Sequence, residues 1–407
     1  MRSTPRCLST PLSFWVSAGI VAHTLWTSAA PAMVYPLYAH EWNLTPTVTT
    51  AIFAVYPIVV VAMLVLFGDL SDFIGRRSTM LLGLGSSIIG VFLFAIAPNV
   101  ATLFIGRVFM GIGVGLSAGP STAALQEFAG SGGVTRASST TIVAQAIGFS
   151  CALIVGGFLV QYAPFPSRLT FIVLFVLLLA LFAVSWFLPE NRRANVGRWH
   201  PKIPGVRREI RTAFIASSVA VMTAYTHGVI ITSLGAQIAK ELVQSSNIFV
   251  NGSVLALFAI SLGIAGLFAR RLTGIKAVVW GSLASIVGML FLAAAIAQHT
   301  LVFFIPATSI SGMGYALMVY GGLAIINPVT PEKVRGGVMS ALYLFAYLFT
   351  GLLAVALGKV ATEVSMAVAA LIGAAVMIGL CAIVIALVVS LSRTPAVQIK
   401  SINSQRA

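Results

Sequence analysis

The sequence predicts an all-α integral membrane protein with twelve transmembrane helices in two pseudo-symmetric six-helix bundles. Three observations predict this fold class: the composition, a series of long apolar stretches, and a repeat between the two halves of the chain. Of the 407 residues, 59% are hydrophobic and only 8% are charged, and the mean hydropathy is +1.02. Soluble domains are about half apolar and about a quarter charged, so this composition indicates a chain that lies in a lipid bilayer.

The apolar stretches set the number of predicted helices. A helix needs about 20 consecutive apolar residues to cross the hydrocarbon core of a bilayer. Twelve stretches approach or exceed this length, with short polar breaks between them. The predicted spans are 13–37, 46–67, 79–98, 101–122, 139–161, 168–188, 211–233, 247–268, 277–298, 301–324, 337–358 and 366–391.

The basic residues predict the orientation of the chain. The formal net charge is +15, but most Lys and Arg residues fall in the breaks between apolar stretches, so the charge does not indicate nucleic acid binding. With the N-terminus inside, the outer breaks hold only Arg168, Lys240 and Lys359, whereas Arg76, Arg77 and the other basic residues between spans lie on the inner side. The positive-inside rule therefore predicts that both termini are cytoplasmic. We expect the protein in the cytoplasmic (inner) membrane of a bacterium.

A basic interruption divides the chain near its midpoint. Residues 190–210 are rich in Arg, with Pro and Gly among them, and contain few apolar residues that could pack in a hydrophobic core. This stretch predicts a linker on the inner membrane face. The predicted domains are an N-terminal six-helix bundle at 1–189, the linker at 190–210, and a C-terminal six-helix bundle with a cytoplasmic tail at 211–407.

An internal repeat supports this division. The Gly-x-Gly motif at 111–113 returns at 312–314, an offset of 201 residues, and Arg136 after span 4 returns as Arg335 after span 10, an offset of 199. Similar offsets at several positions indicate that the two halves are duplicated copies.

The polar loop between predicted spans 2 and 3 carries a specific motif. The stretch GDLSDFIGRR at 68–77 is dense in charge and glycine and lies between two long apolar runs, which predicts a turn at the level of the lipid headgroups. It resembles the loop signature G-x-L-x-D-x-x-G-R-R of the major facilitator superfamily, and the matching residues are Gly68, Leu70, Asp72, Gly75, Arg76 and Arg77. In that family the Asp and Arg residues belong to a latch that holds the two halves together on the cytoplasmic side.

The resemblance covers nearly the whole chain. It implies a secondary transporter whose two six-helix halves rock about a central substrate site near the midplane of the membrane. At the cytoplasmic gate we expect Asp72, Arg76 and Glu127, which follows span 4, to form a charged cluster. The alternative is a solvated turn whose charges only orient the helices.

Arg107 is the one charged residue that lies well inside a predicted span. Gly111 and Gly115 follow it at helical spacing and make a groove for a neighbouring helix, so we expect Arg107 to point along a protein crevice and to line the substrate pathway. The pattern Arg107-x-x-Met110-Gly111-x-Gly113 resembles the span-4 signature R-x-x-Q-G-x-G of drug/proton antiporters, with Met110 in place of Gln. The alternative is an arginine that snorkels to the outer headgroups.

The predicted spans contain no Asp or Glu near the middle of the membrane. This departs from many proton-driven members of the family, which carry an acidic residue in span 1 or span 4. His23 and His227 lie near the middle of spans 1 and 7 and are candidates to carry a proton instead, because histidine titrates near neutral pH; the alternative is a neutral histidine bonded to a neighbouring helix. Aromatic residues in spans 1, 7 and 10 would suit the wall of a cavity or simple packing, and these are Trp26, Tyr225, Tyr315 and Tyr320.

Span 5 carries a pattern of small residues. The stretch GFSCALIVGG at 148–157 resembles the antiporter signature G-x-x-x-G-P-x-x-G-G, with Ala152-Leu153 in place of the central Gly-Pro. Gly148, Gly156 and Gly157 match the signature. As helix-packing residues they need no further functional explanation.

The sequence predicts neither an enzyme nor a cofactor. It contains no metal-ligand spacing, no nucleophile with a base and no nucleotide-binding loop, so we also expect no metal site. The expected partners are a small-molecule substrate, protons as candidate coupling ions and the lipid bilayer, without nucleic acid, and we expect a monomer. The predicted function is proton-coupled efflux of a small organic solute by alternating access. Organic-anion uptake or uniport by the same fold, and a membrane sensor that does not transport, are the open alternatives.

Overall fold

The computed structural model describes residues 7–130, 133–190, 208–331 and 335–392, and these residues are helical apart from short connections. Most of the predicted linker at 190–210 lies outside the described residues, as do both termini of the chain. The domain boundaries therefore stay a prediction.

The long helices are numbered α1 to α12 in chain order. They are Thr10–Ala29, Pro46–Phe67, Arg76–Ala95, Val100–Phe128, Gly133–Tyr162, Leu169–Ser185, Arg211–Gly228, Ile248–Ala269, Gly274–Gln298, Leu301–Ile326, Arg335–Glu363 and Met366–Ser392. Within the described residues, 10 helical stretches are long and apolar enough to cross a membrane. Helix α6 is apolar but shorter, and α1 is not among the 10. The all-helical, multi-span architecture is thus confirmed, whereas the number of twelve spans stays a prediction.

The first predicted span is not one continuous helix. After α1 the chain forms a 3-10 turn at Ala30–Met33 and then a second helix at Tyr35–Glu41. The predicted span 13–37 thus consists of two helices joined by a 3-10 turn. Pro31 and Pro36 explain the break, because a proline lacks the backbone N–H and its ring clashes with the preceding turn of a helix.

Helix α7 continues beyond its predicted end with altered winding. Val229–Leu234 and Ile238–Leu242 are π-helical, with one α-helical turn at Gly235–Gln237 between them. The helical stretch therefore reaches Leu242 instead of ending at 233. π-Helical segments are rare and occur frequently at functional sites. Helices α1 and α7 are equivalent in the predicted repeat, and both change their winding on the side that is predicted to face outward.

Close helix packing repeats between the two halves of the chain. A methyl group added at Gly111 would meet the backbone of α2, and one added at Gly312 would meet the backbone of α8. Two residues further on, Gly113 faces the backbone of α3 and Gly314 faces the backbone of α9 in the same way. The predicted repeat in sequence thus corresponds to a repeat in packing, in which small residues let the helix backbones approach closely.

The two halves of the chain meet along two helix pairs. Helix α2 packs along α11, and α5 packs along α8. Buried apolar side chains from both halves form one continuous cluster between these pairs. The core of the protein therefore runs through the contact between the halves, and the site described below lies within it.

We predict that Gly111→Ala and Gly312→Ala each lower the melting temperature. The new methyl group would overlap backbone atoms that cannot move without separating two helices, and overpacking of this kind costs about 1–3 kcal/mol. Thermal unfolding in detergent, followed by tryptophan fluorescence, measures the change. Gly119→Ala is the matched control on α4, because no atom lies within 4 Å of the added methyl group. Equal melting temperatures for Gly312→Ala and Gly119→Ala would contradict this account.

Candidate functional site

A central cavity of about 90 Å³ lies between the two halves of the chain. Helices α1, α2 and α5 line it from one half, and α7 with its π-helical extension, α8, α10 and α11 line it from the other. The lining residues are Leu25, Ser28, Ala29, Phe53, Tyr56, Pro57, Phe149, Tyr225, Gly228, Thr232, Phe258, Leu262, Tyr315, Tyr347 and Thr350. None of these side chains carries a formal charge, so the cavity offers apolar contact, aromatic faces and hydroxyl groups.

Aromatic rings form a connected wall in this cavity. The ring centroid of Tyr225 lies 4.8 Å from that of Tyr347, with the rings edge to face, and 5.8 Å from that of Tyr315. Phe258 lies 5.7 Å from Tyr315 and 5.8 Å from Phe149, which links the cluster to the other half. Rings at these distances attract one another and are held in fixed positions. They present defined faces and edges to a ligand with an aromatic ring of its own.

Arg107 lies behind the wall of the cavity, with an exposed fraction of 1%. Its Nε donates a hydrogen bond to Tyr35 Oη at 2.9 Å, and its Nη1 donates one to Ser28 O at 3.1 Å. The guanidinium carbon lies 5.2 Å from the ring centroid of Tyr56 and 6.0 Å from that of Phe53. Ser28, Phe53 and Tyr56 also line the cavity. Arg107 therefore neither forms the cavity surface nor snorkels to the headgroups; its charge lies one side-chain layer from the ligand space.

His23 and His227 are buried in equivalent ways. Each Nδ1 lies within hydrogen-bonding distance of the carbonyl oxygen three residues earlier, 2.5 Å from Ile20 O and 2.9 Å from Ala224 O. A carbonyl oxygen only accepts, so Nδ1–H is the donor and Nε2 carries the lone pair in the neutral form. Nε2 of His23 lies 3.3 Å from Ser87 Oγ. Nε2 of His227 has no hydrogen-bond partner among the described residues.

The predicted pathway residues fall at different depths from the cavity. Tyr225 and Tyr315 line it. The ring of His227 packs against the ring of Tyr315 with centroids 6.3 Å apart, so His227 lies directly behind the wall. Trp26 packs against the buried core instead, and the hydroxyl of Tyr320 points to the loop before α9. The structure thus brings three of these five residues to the site.

The first half of the chain resembles known proteins. A family model described as Major Facilitator Superfamily matches residues 15–211. The multidrug efflux pump LfrA of Mycolicibacterium smegmatis is 30% identical over 208 residues, which are 49% of this chain and 41% of the pump. The family match covers just under half of the chain. The match to the pump spans about two fifths of the pump's length.

Solved structures show the same fold over nearly the whole chain. The nucleoside transporter NupG superposes with a TM-score of 0.71 and 15% identity, covering 93% of this chain and 99% of that one. A POT family transporter in complex with 5-aminolevulinic acid gives a TM-score of 0.73 with 13% identity, covering 94% and 96%. At these identities the superpositions show that the chain shares the fold of these transporters.

The path of the polar loop at 68–77 depends on the backbone conformation of one glycine. Gly68 ends α2, and a short helix at Ser71–Ile74 carries the exposed Asp72 in its first turn. Gly75 then has φ +91°. Side chains other than glycine rarely adopt this left-handed region, so Gly75 is what lets the chain reverse and begin α3 immediately.

The arginines of this loop bind within one half of the chain. Arg76 Nη1 donates to Glu127 Oε2 at 2.5 Å and to Ala123 O at 3.1 Å. The guanidinium carbon of Arg77 lies 5.9 Å from the ring centroid of Trp186. Because Arg76 begins α3 and Glu127 lies near the end of α4, their ion pair joins two helices of the same half. The pair fixes the start of α3 to the end of α4, but it does not itself connect the two halves of the chain.

The predicted packing glycines face neighbouring helices. Gly111 and Gly115 face α2, Gly148 faces the backbone of α1, Gly156 faces the 3-10 turn after α1, and Gly157 faces the first residues of α8. Only the contact of Gly157 crosses from one half of the chain to the other.

Sequence reasoning missed most of the cavity wall. The missed aromatic residues are Phe53, Tyr56, Phe149, Phe258 and Tyr347. The internal repeat held a usable signal, because several lining residues occupy equivalent positions about 200 residues apart in the two halves. These pairs are Ser28 with Thr232, Pro57 with Phe258, and Phe149 with Thr350.

We predict that Arg107→Lys destabilises the protein. Lysine keeps the charge but has no planar fork, so it cannot reproduce both hydrogen bonds, which tie α4 to Ser28 of α1 and to Tyr35 of the helix that follows. Loss of a buried hydrogen bond to a charged group costs about 1.5–3 kcal/mol, and thermal unfolding in detergent measures the loss. Tyr35→Phe, which removes only the bond to Nε, should cost less. An unchanged melting temperature for Arg107→Lys would mean that the arginine reaches the headgroups.

Proposed function

We propose that this chain is a member of the major facilitator superfamily and a secondary active transporter that exports a small organic solute by alternating access, with protons as the coupling ion. In this proposal two six-helix bundles, 1–189 and 211–407, move about the central cavity, and the basic linker at 190–210 joins them. The protein acts as a monomer in a bacterial cytoplasmic membrane with both termini inside. The observation that carries the proposal is the cavity itself, because both halves line it.

Further observations support this function. The similarity to a multidrug efflux pump favours export over uptake. The aromatic wall around Tyr225 favours a substrate with an aromatic ring, since stacked and edge-to-face contacts reward planar apolar groups. The cavity of about 90 Å³ favours a small compound. Hydroxyl groups of Ser28, Thr232 and Thr350 offer hydrogen bonds to one polar substituent.

The test is transport in proteoliposomes that contain the purified chain. A panel of small aromatic compounds is presented with an imposed pH gradient, in matched neutral, anionic and cationic forms. We expect gradient-driven movement of at least one neutral or anionic compound. Binding of such a compound without any flux across the sealed membrane would favour the sensor alternative instead.

A substitution in the aromatic wall should weaken substrate binding. We predict that Tyr315→Leu raises the KM for an aromatic substrate about threefold to tenfold, because the variant loses ring contacts of about 0.5–1.5 kcal/mol. Tyr320→Leu is the matched control, since Tyr320 lies on the same helix outside the cavity wall. Equal KM values for the two variants would contradict an aromatic site at this position.

Proton coupling should depend on one histidine more than on the other. We predict that His227→Gln abolishes the response of transport to a pH gradient while downhill exchange continues, because His227 Nε2 is available beside Tyr315. His23→Gln should keep the response, since its Nε2 lies against Ser87 and away from the cavity. Fluxes with and without the gradient measure both. Full proton-driven transport in the double variant would exclude histidine coupling.

A second candidate function is transport of an organic anion by uptake or uniport. The positive charge of Arg107, buried behind Ser28, Phe53 and Tyr56, favours it. A buried cation near an uncharged cavity attracts a negative group through a medium of low dielectric constant. Preference for the anionic over the neutral member of each matched pair, without a response to the pH gradient, would support this candidate.

A further inference from the structure

Hydrogen bonds cross between the two halves at the predicted outer end of the helices. The backbone N–H of Thr47, in the first turn of α2, donates to Thr362 Oγ1 near the end of α11 at 3.0 Å. The two threonine hydroxyls lie 2.8 Å apart, and Thr47 Oγ1 also donates to Gly358 O at 3.3 Å. The first N–H groups of a helix have no partner within the helix. A side chain of one half therefore caps a helix of the other half.

The second helix pair makes a contact of the same kind. The backbone N–H of Ile248, the first residue of α8, donates to Gln161 Oε1 near the end of α5 at 2.7 Å. Beside it, Asn247 Nδ2 donates to Tyr162 Oη at 3.3 Å. Here too a side chain at the end of one helix caps the first turn of a helix from the opposite half.

The two contacts are related by the internal repeat. Thr47 and Ile248 are 201 residues apart, and so are Gln161 and Thr362. The glycines beside the contacts follow the same offset. A methyl group on Gly157 would lie 2.9 Å from Ile248 O, and one on Gly358 would lie 2.9 Å from Pro46 O. Each contact therefore combines a small residue that allows close approach with a polar side chain that caps the facing helix.

We propose that these two contacts, Thr47 with Thr362 and Ile248 with Gln161, are paired caps that close the outer end of the cavity. This inference rests on the alternating access proposed above. When the halves separate at the outer end, both N–H groups lose their side-chain acceptor and turn to water. Because Thr362 is exposed and Thr47, Gln161 and Ile248 are partly exposed, water can replace the lost bonds at modest cost. The caps favour the closed outer end without locking it.

The test measures the distance across the outer end and does not depend on transport. Spin labels are attached at Asn43→Cys and Val364→Cys beside the first cap, and in a second sample at Pro164→Cys and Ser246→Cys beside the second cap. All four positions are exposed. The background carries Cys7→Ser and Cys151→Ala, whereas Cys381 is buried and stays in place. Double electron–electron resonance then reports the populations with joined and separated ends.

Removing the acceptor oxygens should shift these populations. We expect Thr362→Val and Gln161→Met each to raise the ratio of separated to joined outer ends about threefold, and the double variant about tenfold. Thr362→Ser keeps the oxygen and should retain the wild-type distribution. Thr49→Val is the matched control in α2, because Thr49 Oγ1 bonds only to its own helix at Pro46 O. Melting temperatures verify that every variant is folded.

The outcomes separate this inference from the proposed function. Wild-type distance distributions in both single variants and in the double variant would overturn the paired caps, even if transport proceeds. The same shift in Thr49→Val as in Thr362→Val would overturn them as well, since it would show a general loosening of α2. A shift confined to the cap variants, in a protein that moves no compound, would support the caps and count against the proposed transport function.

Discussion

A bilayer offers no hydrogen-bond partners, so each polar group in the hydrocarbon region has to be satisfied by the protein itself. This constraint explains where the arginine and the two histidines well inside the predicted spans lie. Arg107 donates to a backbone carbonyl and a phenol hydroxyl of the first predicted span, and His23 and His227 each donate to a carbonyl of their own helix. All three are anchored before any substrate arrives. The roles proposed for Arg107 and His227 would therefore be exercised from behind the cavity wall.

The duplication of the chain supplies a symmetric frame, but the cavity within it is not symmetric. Equivalent glycines pack equivalent helices together, and the paired caps follow the same offset. The lining positions break the symmetry, since Pro57 faces the cavity in one half and Phe258 at the equivalent position in the other. The tyrosines Tyr225, Tyr315 and Tyr347 all belong to the second half. Tyr56 is the one lining tyrosine of the first half, so three of the four tyrosines in the cavity wall lie on one side.

Local patterns predicted the spans, the repeat and the inner loop, because length, spacing and charge are properties of short stretches. The helix break after α1 was not predicted, because the hydropathy of the sequence continues unchanged through Pro31. Most residues of the cavity wall were not predicted for a different reason. In a soluble protein an apolar face marks the core, whereas a membrane helix is apolar on the faces toward lipid and toward protein alike. Tyr56 and Phe149 could not be told from lipid-facing aromatic residues without knowing the rotation of their helices.

An ion pair within one half and neutral hydrogen bonds between the halves lie at opposite ends of the molecule. Near the predicted inner face the ion pair of Arg76 and Glu127 braces two helices within one half. At the opposite end the contacts between halves are neutral hydrogen bonds at Thr362 and Gln161. Two states that interconvert differ by only a few kcal/mol. In the alternating access proposed above, the neutral bonds between the halves can break and re-form without leaving a charge unpaired, while the ion pair stays within one half.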